Sequence, residues 1–329
     1  MIRIGLLGAS RVAEYALIPH VAARDDCQIV AVAASDARRA DKYAEAHDIE
    51  TALGSYDELI AHPDIDLVYN ALPPSQHARL SIAALKAGKA VLCEKPFAMD
   101  AGEARMMVAA AEVADRPLIE AFHYRYHPGF ARLFAILAAR EIGRIVKAEA
   151  RFAVPIPDKP GELRYRPELG GGALMDLGCY CLHWLRMVLP EPLSVQSATA
   201  RRTANGTDLE TTAHMTAPNG AVGMASCAMD VDEPEVWLHL EGEGGTVRFE
   251  NPLAPQLGAR LTVRVGKIDR NEPVPDSSTY EHQLAHVTTV ISDTAKPITG
   301  GADAIANMTL IDEVRNTGGG ALAIRSPTG

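Results

Sequence analysis

A chain of 329 residues is long enough for two domains, each with its own core. Lysine and arginine (32) fall short of aspartate and glutamate (42), giving a net charge of −10 with no basic run, which argues against nucleic acid and anionic membranes as partners. No apolar stretch approaches the length of a membrane span, and the opening Met1-Ile2-Arg3-Ile4 reads as a strand rather than a signal peptide.

Residues 2–7 form the first expected strand and run into Gly8-Ala9-Ser10-Arg11-Val12-Ala13, with a helix expected over about residues 11–23. Strand, tight turn and helix in that order place a pyrophosphate on a helix N-terminus. Ser10 stands where the second glycine of GxGxxG would be and Ala13 where the third would be; alanine is an accepted variant at the third place. Alone this is a weak signal, because small residues at such a turn often serve packing. A second strand over residues 28–34 closes a βαβ unit. Ser35-Asp36-Ala37-Arg38-Arg39 follows where a carboxylate for the ribose would stand. Next come a helix to about residue 46, a short strand at 51–53, and a helix capped by Ser55, with Glu58 completing a capping box. Residues 66–71 are a fourth strand, ended by Leu72-Pro73-Pro74, and residues 75–87 an amphipathic helix stopped by Gly88.

The fifth strand, Val91-Leu92-Cys93, is apolar on both faces and meets Glu94-Lys95-Pro96. Proline cannot donate to a ladder, so Glu94 and Lys95 stand at the strand's carboxyl end, where open α/β sheets bind their ligands. A helix over residues 100–114 and a sixth strand over 117–121 complete an α/β domain of residues 1–122, a doubly wound parallel sheet of the Rossmann type.

After Phe122 the texture changes. A helix over about residues 128–140 precedes long alternating segments at 145–154, 194–203, 209–217, 221–229, 236–241, 246–250 and 260–265. Asn205-Gly206, Asn219-Gly220 and residues 242–245 separate several of them as hairpin turns. Residues 123–329 are therefore expected to form an α+β domain with a large, mainly antiparallel, open-faced sheet. Helices would cover one face. The other would bury apolar strand residues in a homodimer or a larger homo-oligomer. Closing helices are expected at 282–294 and 303–317.

The segment Gly170-Gly171-Gly172-Ala173-Leu174-Met175-Asp176-Leu177-Gly178-Cys179-Tyr180 interrupts this sheet. Its glycines allow close backbone approach to a ligand or to the other domain. From Ala173 the pattern is helical, which puts Asp176 and Tyr180 four apart on one face and His183 a turn further on. An ordinary packed helix with a flexible entry fits the same pattern. His77, His123 and His127 lie in separate elements without HxxxH or Cys-pair spacing; they read as capping or cofactor-adjacent histidines, and no metal is expected. Cys27, Cys93, Cys179, Cys181 and Cys227 are scattered and read as reduced, mostly buried thiols of a cytoplasmic protein.

Taken together, these pieces resemble the glucose–fructose oxidoreductase / inositol dehydrogenase / MocA family. The elements that carry the resemblance are Gly8 to Ala13, Ala71-Leu72-Pro73 with Ser75 and His77, Glu94-Lys95-Pro96, Tyr124-Arg125-Tyr126-His127-Pro128 and residues 170–180. No single member is specific, but the ordered set is. The resemblance implies a Rossmann domain followed by an open-faced α+β domain, and NAD(P)-dependent oxidation or reduction of alcohols on sugars and cyclic polyols. The family's lysine falls on Lys95 and its aspartate on Asp176. The acid/base falls on Tyr180, as in the branch with D-xylose dehydrogenases and dimeric dihydrodiol dehydrogenases. Cofactor contacts are implied at Gly8, Ala9, Ser10, Arg11, Val12, Ser35, Arg38, Leu72, Pro73, His77, Glu94, Lys95 and Arg125, with a cis Lys95–Pro96 bond. His183 departs from the family, which often has Asp or Asn there.

Hydride transfer from a carbinol carbon needs the hydroxyl proton removed by a group near the nicotinamide. An unperturbed tyrosine is too weak an acid for this at neutral pH, and a neighbouring ammonium stabilises the phenolate. Lys95 and Tyr180 are expected to form that pair in a crevice between the domains, with Asp176 orienting Lys95 or a substrate hydroxyl. Glu94 would support the Lys95 backbone or the nicotinamide ribose. Arg164 is a candidate contact to a carbohydrate-like substrate or to a carboxylate, and His183 a second substrate contact. Ala34 occupies the place where relatives that prefer NAD carry an acid. Ser35, Arg38 and Arg39 offer a hydroxyl and two guanidinium groups to a 2′-phosphate, so NADP is favoured over NAD unless Asp36 turns inward. Two other functions share the fold: an NAD-dependent glycoside hydrolase, and a non-catalytic dinucleotide-binding sensor, against which Lys95 and Tyr180 weigh.

Overall fold

The computed structural model describes residues 1–318, in two compact units. Among the described residues, the first comprises residues 1–126 and 279–306, and the second residues 127–278 and 307–318.

The first unit is built on six strands, β1 (Ile2–Leu7), β2 (Cys27–Ala33), β3 (Thr51–Leu53), β4 (Leu67–Asn70), β5 (Ala90–Cys93) and β6 (Leu118–Glu120). They form one parallel sheet in the order β3-β2-β1-β4-β5-β6. All residues of β4 and β5 are buried, which is why these strands read as unbroken apolar runs. Between the strands lie α1 (Arg11–Ala16), α2 (Ile18–Ala22), α3 (Ala37–His47), α4 (Tyr56–Ala61), α5 (Pro74–Lys86) and α6 (Ala101–Ala114). The single helix expected over residues 11–23 is two, broken at Leu17 (φ −129°). Pro19 has no N–H for the carbonyl four residues back, so the first helix cannot continue through it. Ser55 caps α4 by accepting from the Asp57 and Glu58 amides.

A helix from late in the chain, α9 (Thr279–Ile291), belongs to this unit. Its Leu284, Val287 and Val290 are buried in the same apolar cluster as Ile4, Leu6 and Val32. The boundary expected at residue 122 therefore accounts for only the first of two segments; an amphipathic helix shows its apolar face in sequence but not which core receives it.

The second unit starts with α7 (Pro128–Ala138) and contains β7 (Ile145–Ala153), α8 (Cys179–Val188), β8 (Ser194–Arg202), β9 (Asp208–Thr216), β10 (Val222–Ala228), β11 (Glu235–Gly242), β12 (Gly245–Glu250), β13 (Arg260–Val265) and β14 (Ile268–Glu272). A final helix, α10 (Gly301–Thr317), contributes its later residues here. The sheet runs β14-β13-β12-β11-β7-β10-β9-β8, antiparallel throughout except for the parallel pair β7–β10. Strand β14 was not expected: its sequence, IDRNE, is almost wholly exposed and has no apolar alternation. It is made by a two-residue turn at Gly266-Lys267, where Gly266 takes φ +60°.

Helix α8 packs on β7 and β10, where Ala148, Ala150, Ala225 and Cys227 are small enough to let it approach. The opposite face is not the apolar surface expected from the sequence. Lys147 pairs with Glu149 and Glu241, Arg151 with Glu235, and the Arg248 guanidinium lies 3.9 Å from the centre of the Trp237 ring. Alternation along β7 and β10 turns their small residues to α8, and along β7 it turns Lys147, Glu149 and Arg151 to the other face.

Candidate active site

In the first unit, the strand order reverses at β1, with β2 on one side and β4 on the other. Open α/β sheets bind ligands at the carboxyl ends beside such a switch point. Gly8, just after β1, takes φ +102°, and a Cβ there would stand 2.9 Å from Leu72 Cδ2, so both conformation and space call for glycine. Ser10 caps α1, its Oγ accepting from the Val12 amide at 3.2 Å. Helix α3 pins the turn from outside: Arg39 Nη2 donates to Ala9 O and the Tyr43 hydroxyl to Ser10 O, both at 2.8 Å. Arg39 is thus committed to the turn, which corrects the expectation that two guanidinium groups await a 2′-phosphate. Asp36 accepts from the Arg38 amide at 2.9 Å as the cap of α3. Exposed Ser35 and Arg38 remain at the end of β2.

After β4, half-buried Leu72 and Pro73 lead into α5. His77, fully buried, joins two loops: Nε2 lies 2.8 Å from Leu72 O and Nδ1 3.0 Å from Pro96 O. Burial pushes its pKa down to about 4, with the Lys95 charge adding to the effect. Being neutral, the ring has one N–H and donates to one of these carbonyls while packing against the other. It lies beneath the loops rather than at their surface, which corrects the expectation of a direct cofactor contact.

At the end of β5 the Glu94 carboxylate is almost fully buried. Its Oε1 accepts from the Tyr69 hydroxyl at 2.6 Å, and its Oε2 from the Lys95 amide at 3.3 Å. Glu94 therefore does support the Lys95 backbone. The Lys95–Pro96 bond is cis. Arg125 is half-buried in the 3₁₀ turn His123–Tyr126. His123 Nδ1 lies 2.7 Å from Thr279 Oγ1, and His127 caps α7 through the Gly129 amide at 3.0 Å. Among the described residues, no cluster of three His, Cys, Asp or Glu side chains is placed to hold a metal.

In the second unit, residues Leu174–Gly178 form a π-turn that leads directly into α8. Such turns recur at functional sites. Asp176 Oδ2 accepts from Arg164 Nε at 2.6 Å, and Arg164 Nη1 donates to Glu162 at 3.1 Å. The Asp176 charge holds the Arg164 guanidinium even more firmly protonated than usual. The carboxylate that Arg164 meets is therefore one from its own unit. Tyr180 is 4% exposed, its ring edge-on to Phe152 with centroids 5.5 Å apart and tilted against Trp184. His183 is 0% exposed on α8, which replaces the expected substrate contact with a packed core position.

The glycines before the π-turn serve the fold itself. A Cβ on Gly171 would lie 2.6 Å from Arg164 O, and one on Gly172 (φ +117°) 2.1 Å from Asp208 Oδ1. Asp208 is a residue the sequence did not single out. Neither are Tyr69 and Tyr43, whose contacts are also non-local. A cleft of about 870 Å³ in the first unit is lined by Ile2, Asp66, Ala90 and Leu118, near the amino ends of the strands, away from Gly8, Leu72 and Lys95.

Residues 2–122 match an oxidoreductase family with an NAD-binding Rossmann fold (GFO_IDH_MocA), and residues 130–248 match its C-terminal domain. D-xylose 1-dehydrogenase (NADP(+)) 2 of Haloferax volcanii is 30% identical over 314 residues, 94% of this chain and 95% of that one. The chain belongs to this oxidoreductase family. Human trans-1,2-dihydrobenzene-1,2-diol dehydrogenase is 34% identical over 256 residues, 77% of this chain and 74% of that one. Both relatives are named as dehydrogenases, not as glycosidases or sensors. A 3-ketoreductase from Actinomadura kijaniata, solved in complex with NADP and TDP-benzene, superposes with a TM-score of 0.89 at 24% identity, over 96% of this chain and 97% of that one, and shares the fold.

The residues of the first unit fit the family's dinucleotide. Gly8 clears the turn, α3 fixes the carbonyls of Ala9 and Ser10 from outside, and the exposed Arg38 stands at the end of β2.

Proposed function

We propose that this protein is an NADP-dependent dehydrogenase or reductase acting on a secondary-alcohol or lactol carbon of a sugar, polyol or dihydrodiol. The observation that carries the proposal is 30% identity over nearly the full length of an enzyme named for D-xylose and NADP(+), in a chain that carries Lys95 and Tyr180. When bound, the nicotinamide supplies the hydride acceptor or donor. In the oxidative direction Tyr180 accepts the hydroxyl proton as its phenolate, and the ammonium of Lys95 favours that phenolate electrostatically. Glu94 holds the Lys95 amide, while Asp176, paired with Arg164, orients a substrate hydroxyl. Gly8 to Val12, Leu72, Pro73 and Arg125 would hold the dinucleotide. Ser35 and Arg38 take the 2′-phosphate, since Asp36 is engaged in capping α3.

The same reading places the enzyme in the cytoplasm, where its five buried free thiols stay reduced. It also assigns a homodimer to the open face of the eight-stranded sheet, whose mixed charges can pair with a second copy. A monomer by light scattering at micromolar concentration would refute the dimer. The test of the chemistry is turnover of D-xylose, other aldoses, inositols and trans-dihydrodiols with NADP⁺ and NAD⁺, followed by nicotinamide absorbance. Lys95→Met and Tyr180→Phe should each lower kcat by roughly 10²–10⁴-fold with dinucleotide binding retained. Near-normal kcat in either variant overturns the assignment.

A further inference from the structure

We propose that Asp208 is a positioning residue for the helix that carries Asp176 and Tyr180, acting as a cap delivered from a distant hairpin. The first amides of a helix have no partners within it and must find them elsewhere. The segment before this helix is Gly170-Gly171-Gly172-Ala173, which offers no side-chain acceptor. The acceptor comes from the first residue of β9. Asp208 Oδ2 takes the Leu174 amide at 2.7 Å and the Thr211 hydroxyl at 2.8 Å. The contact is buried, with Asp208 7% and Leu174 6% exposed. A charge-assisted bond in that setting is short and directional.

The same hairpin grips the second segment of the site, the 3₁₀ turn Leu163–Tyr165. Asn205 Nδ2 and Thr207 Oγ1 both donate to Tyr165 O, at 3.0 and 3.1 Å, next to Arg164. Backbone bonds then close the loop: Gly172 N donates to Arg164 O and Asp176 N to Gly172 O, each at 2.9 Å. One hairpin thus holds both segments whose side chains meet in the Arg164–Asp176 pair. Tyr180 follows Asp176 by four residues on the same continuous helix, so the Leu174 amide sets the axial position and rotation of both.

This inference rests on Tyr180 being the proton acceptor, and the experiment separates the two. Asp208→Ala, Asp208→Asn, Thr211→Val and Tyr180→Phe are compared for kcat, KM for NADP⁺, pH profile and thermal stability. Asp208→Ala should lower kcat roughly 10- to 100-fold, the cost of a small misplacement of reacting groups. KM for NADP⁺ should stay unchanged and the acid limb of kcat should move to higher pH. Asp208→Asn keeps an acceptor for the Leu174 amide and should restore most of the turnover. A purely structural Asp208 would lower the melting temperature of Asp208→Ala while leaving kcat and its pH profile at wild type, and that result overturns the proposal. If Asp208→Ala does not fold, Thr211→Val carries the test: it loosens the same oxygen, and a wild-type kcat and pH profile there are equally fatal. Inactive Tyr180→Phe beside a fully active Asp208→Ala removes the positioning role alone. Active Tyr180→Phe removes the assignment on which it stands.

Discussion

Replacing Tyr69 by phenylalanine deletes one oxygen from the middle of the parallel sheet and asks how Lys95 is held. Tyr69 lies on β4 between β1 and β5 and is 1% exposed. Burial, then the Glu94 charge, pushes its pKa well above the usual phenol value, so it remains a donor at any working pH. Its 2.6 Å bond fixes one oxygen of Glu94, whose other oxygen holds the Lys95 amide by a longer bond of 3.3 Å. A hydrogen bond to a charged group contributes about 1.5–3 kcal/mol, and the retained ring leaves no large cavity to add to the loss. For a unit of this size each kcal/mol shifts the melting temperature by about 2–4 °C, so Tyr69→Phe should melt about 3–12 °C lower. With Glu94 released, kcat should fall while the dissociation constant for NADP⁺ stays constant. Circular dichroism melts of the free protein and steady-state kinetics give both values. An unchanged melting temperature together with wild-type kcat refutes the idea that Tyr69 and Glu94 set the backbone at Lys95.

Arg38→Ala should reduce kcat/KM for NADP⁺ roughly tenfold, the scale of one charge-assisted bond, and leave NAD⁺ unaffected. Asp36→Ala should alter stability through the α3 cap without restoring NAD⁺ use; a gain in NAD⁺ use would place its carboxylate at the ribose. His77 has a folded pKa of about 4 against an ordinary 6.5, so the unfolded chain takes up its proton first as pH falls. Its stabilisation is complete above pH 6.5 and is lost progressively towards about pH 4. The gap corresponds to about 3 kcal/mol, and His77→Gln should flatten the urea-stability profile across that window. Gly172→Ala should destabilise the second unit by about 3 kcal/mol, combining a left-handed backbone with a displaced carboxylate. In an Asp208→Ala background only the backbone part, about 1–2 kcal/mol, should remain; strict additivity of the two changes would disprove their contact.

The parallel sheet was legible because its evidence is local. Each strand is a short apolar run, and each carboxyl end is marked by residues that cannot extend it, as in Leu72-Pro73 and Lys95-Pro96. Lys95 could be placed at a strand end from three adjacent residues. Helical spacing only put Asp176 and Tyr180 on one face, a pattern an ordinary packed helix also fits, and their roles came from the family resemblance. What stayed hidden depends on contacts between distant segments. Helix α9 shows an apolar face, but only the fold shows Leu284 and Val287 against Ile4 and Leu6. Strand β14 has no apolar alternation because almost nothing in it is buried. Tyr69 looks like any buried strand aromatic until its hydroxyl is seen on Glu94, and Arg39 like a phosphate ligand until its guanidinium is seen on Ala9 O.

Two glycine stretches illustrate the limit most sharply, since both invite the same reading and only one sustains it. Gly8 follows a strand at the switch point, and the atoms nearest its missing Cβ belong to Leu72, another residue at the carboxyl end of the sheet. Its absence of a side chain opens the turn towards the ligand side. At Gly171 and Gly172 the space is taken up by the Arg164 carbonyl and the Asp208 carboxylate. Those glycines clear room for the protein's own atoms. They let a buried acid reach the Leu174 amide at the start of the helix that carries Asp176 and Tyr180, a task for which a side chain in the glycine segment would be in the way. Sequence can report that backbone must come close to something at such a position. Whether that something is a phosphate or the protein's own carboxylate depends on a residue more than thirty positions away, and it is that residue which turns a flexible entry into a fixed one.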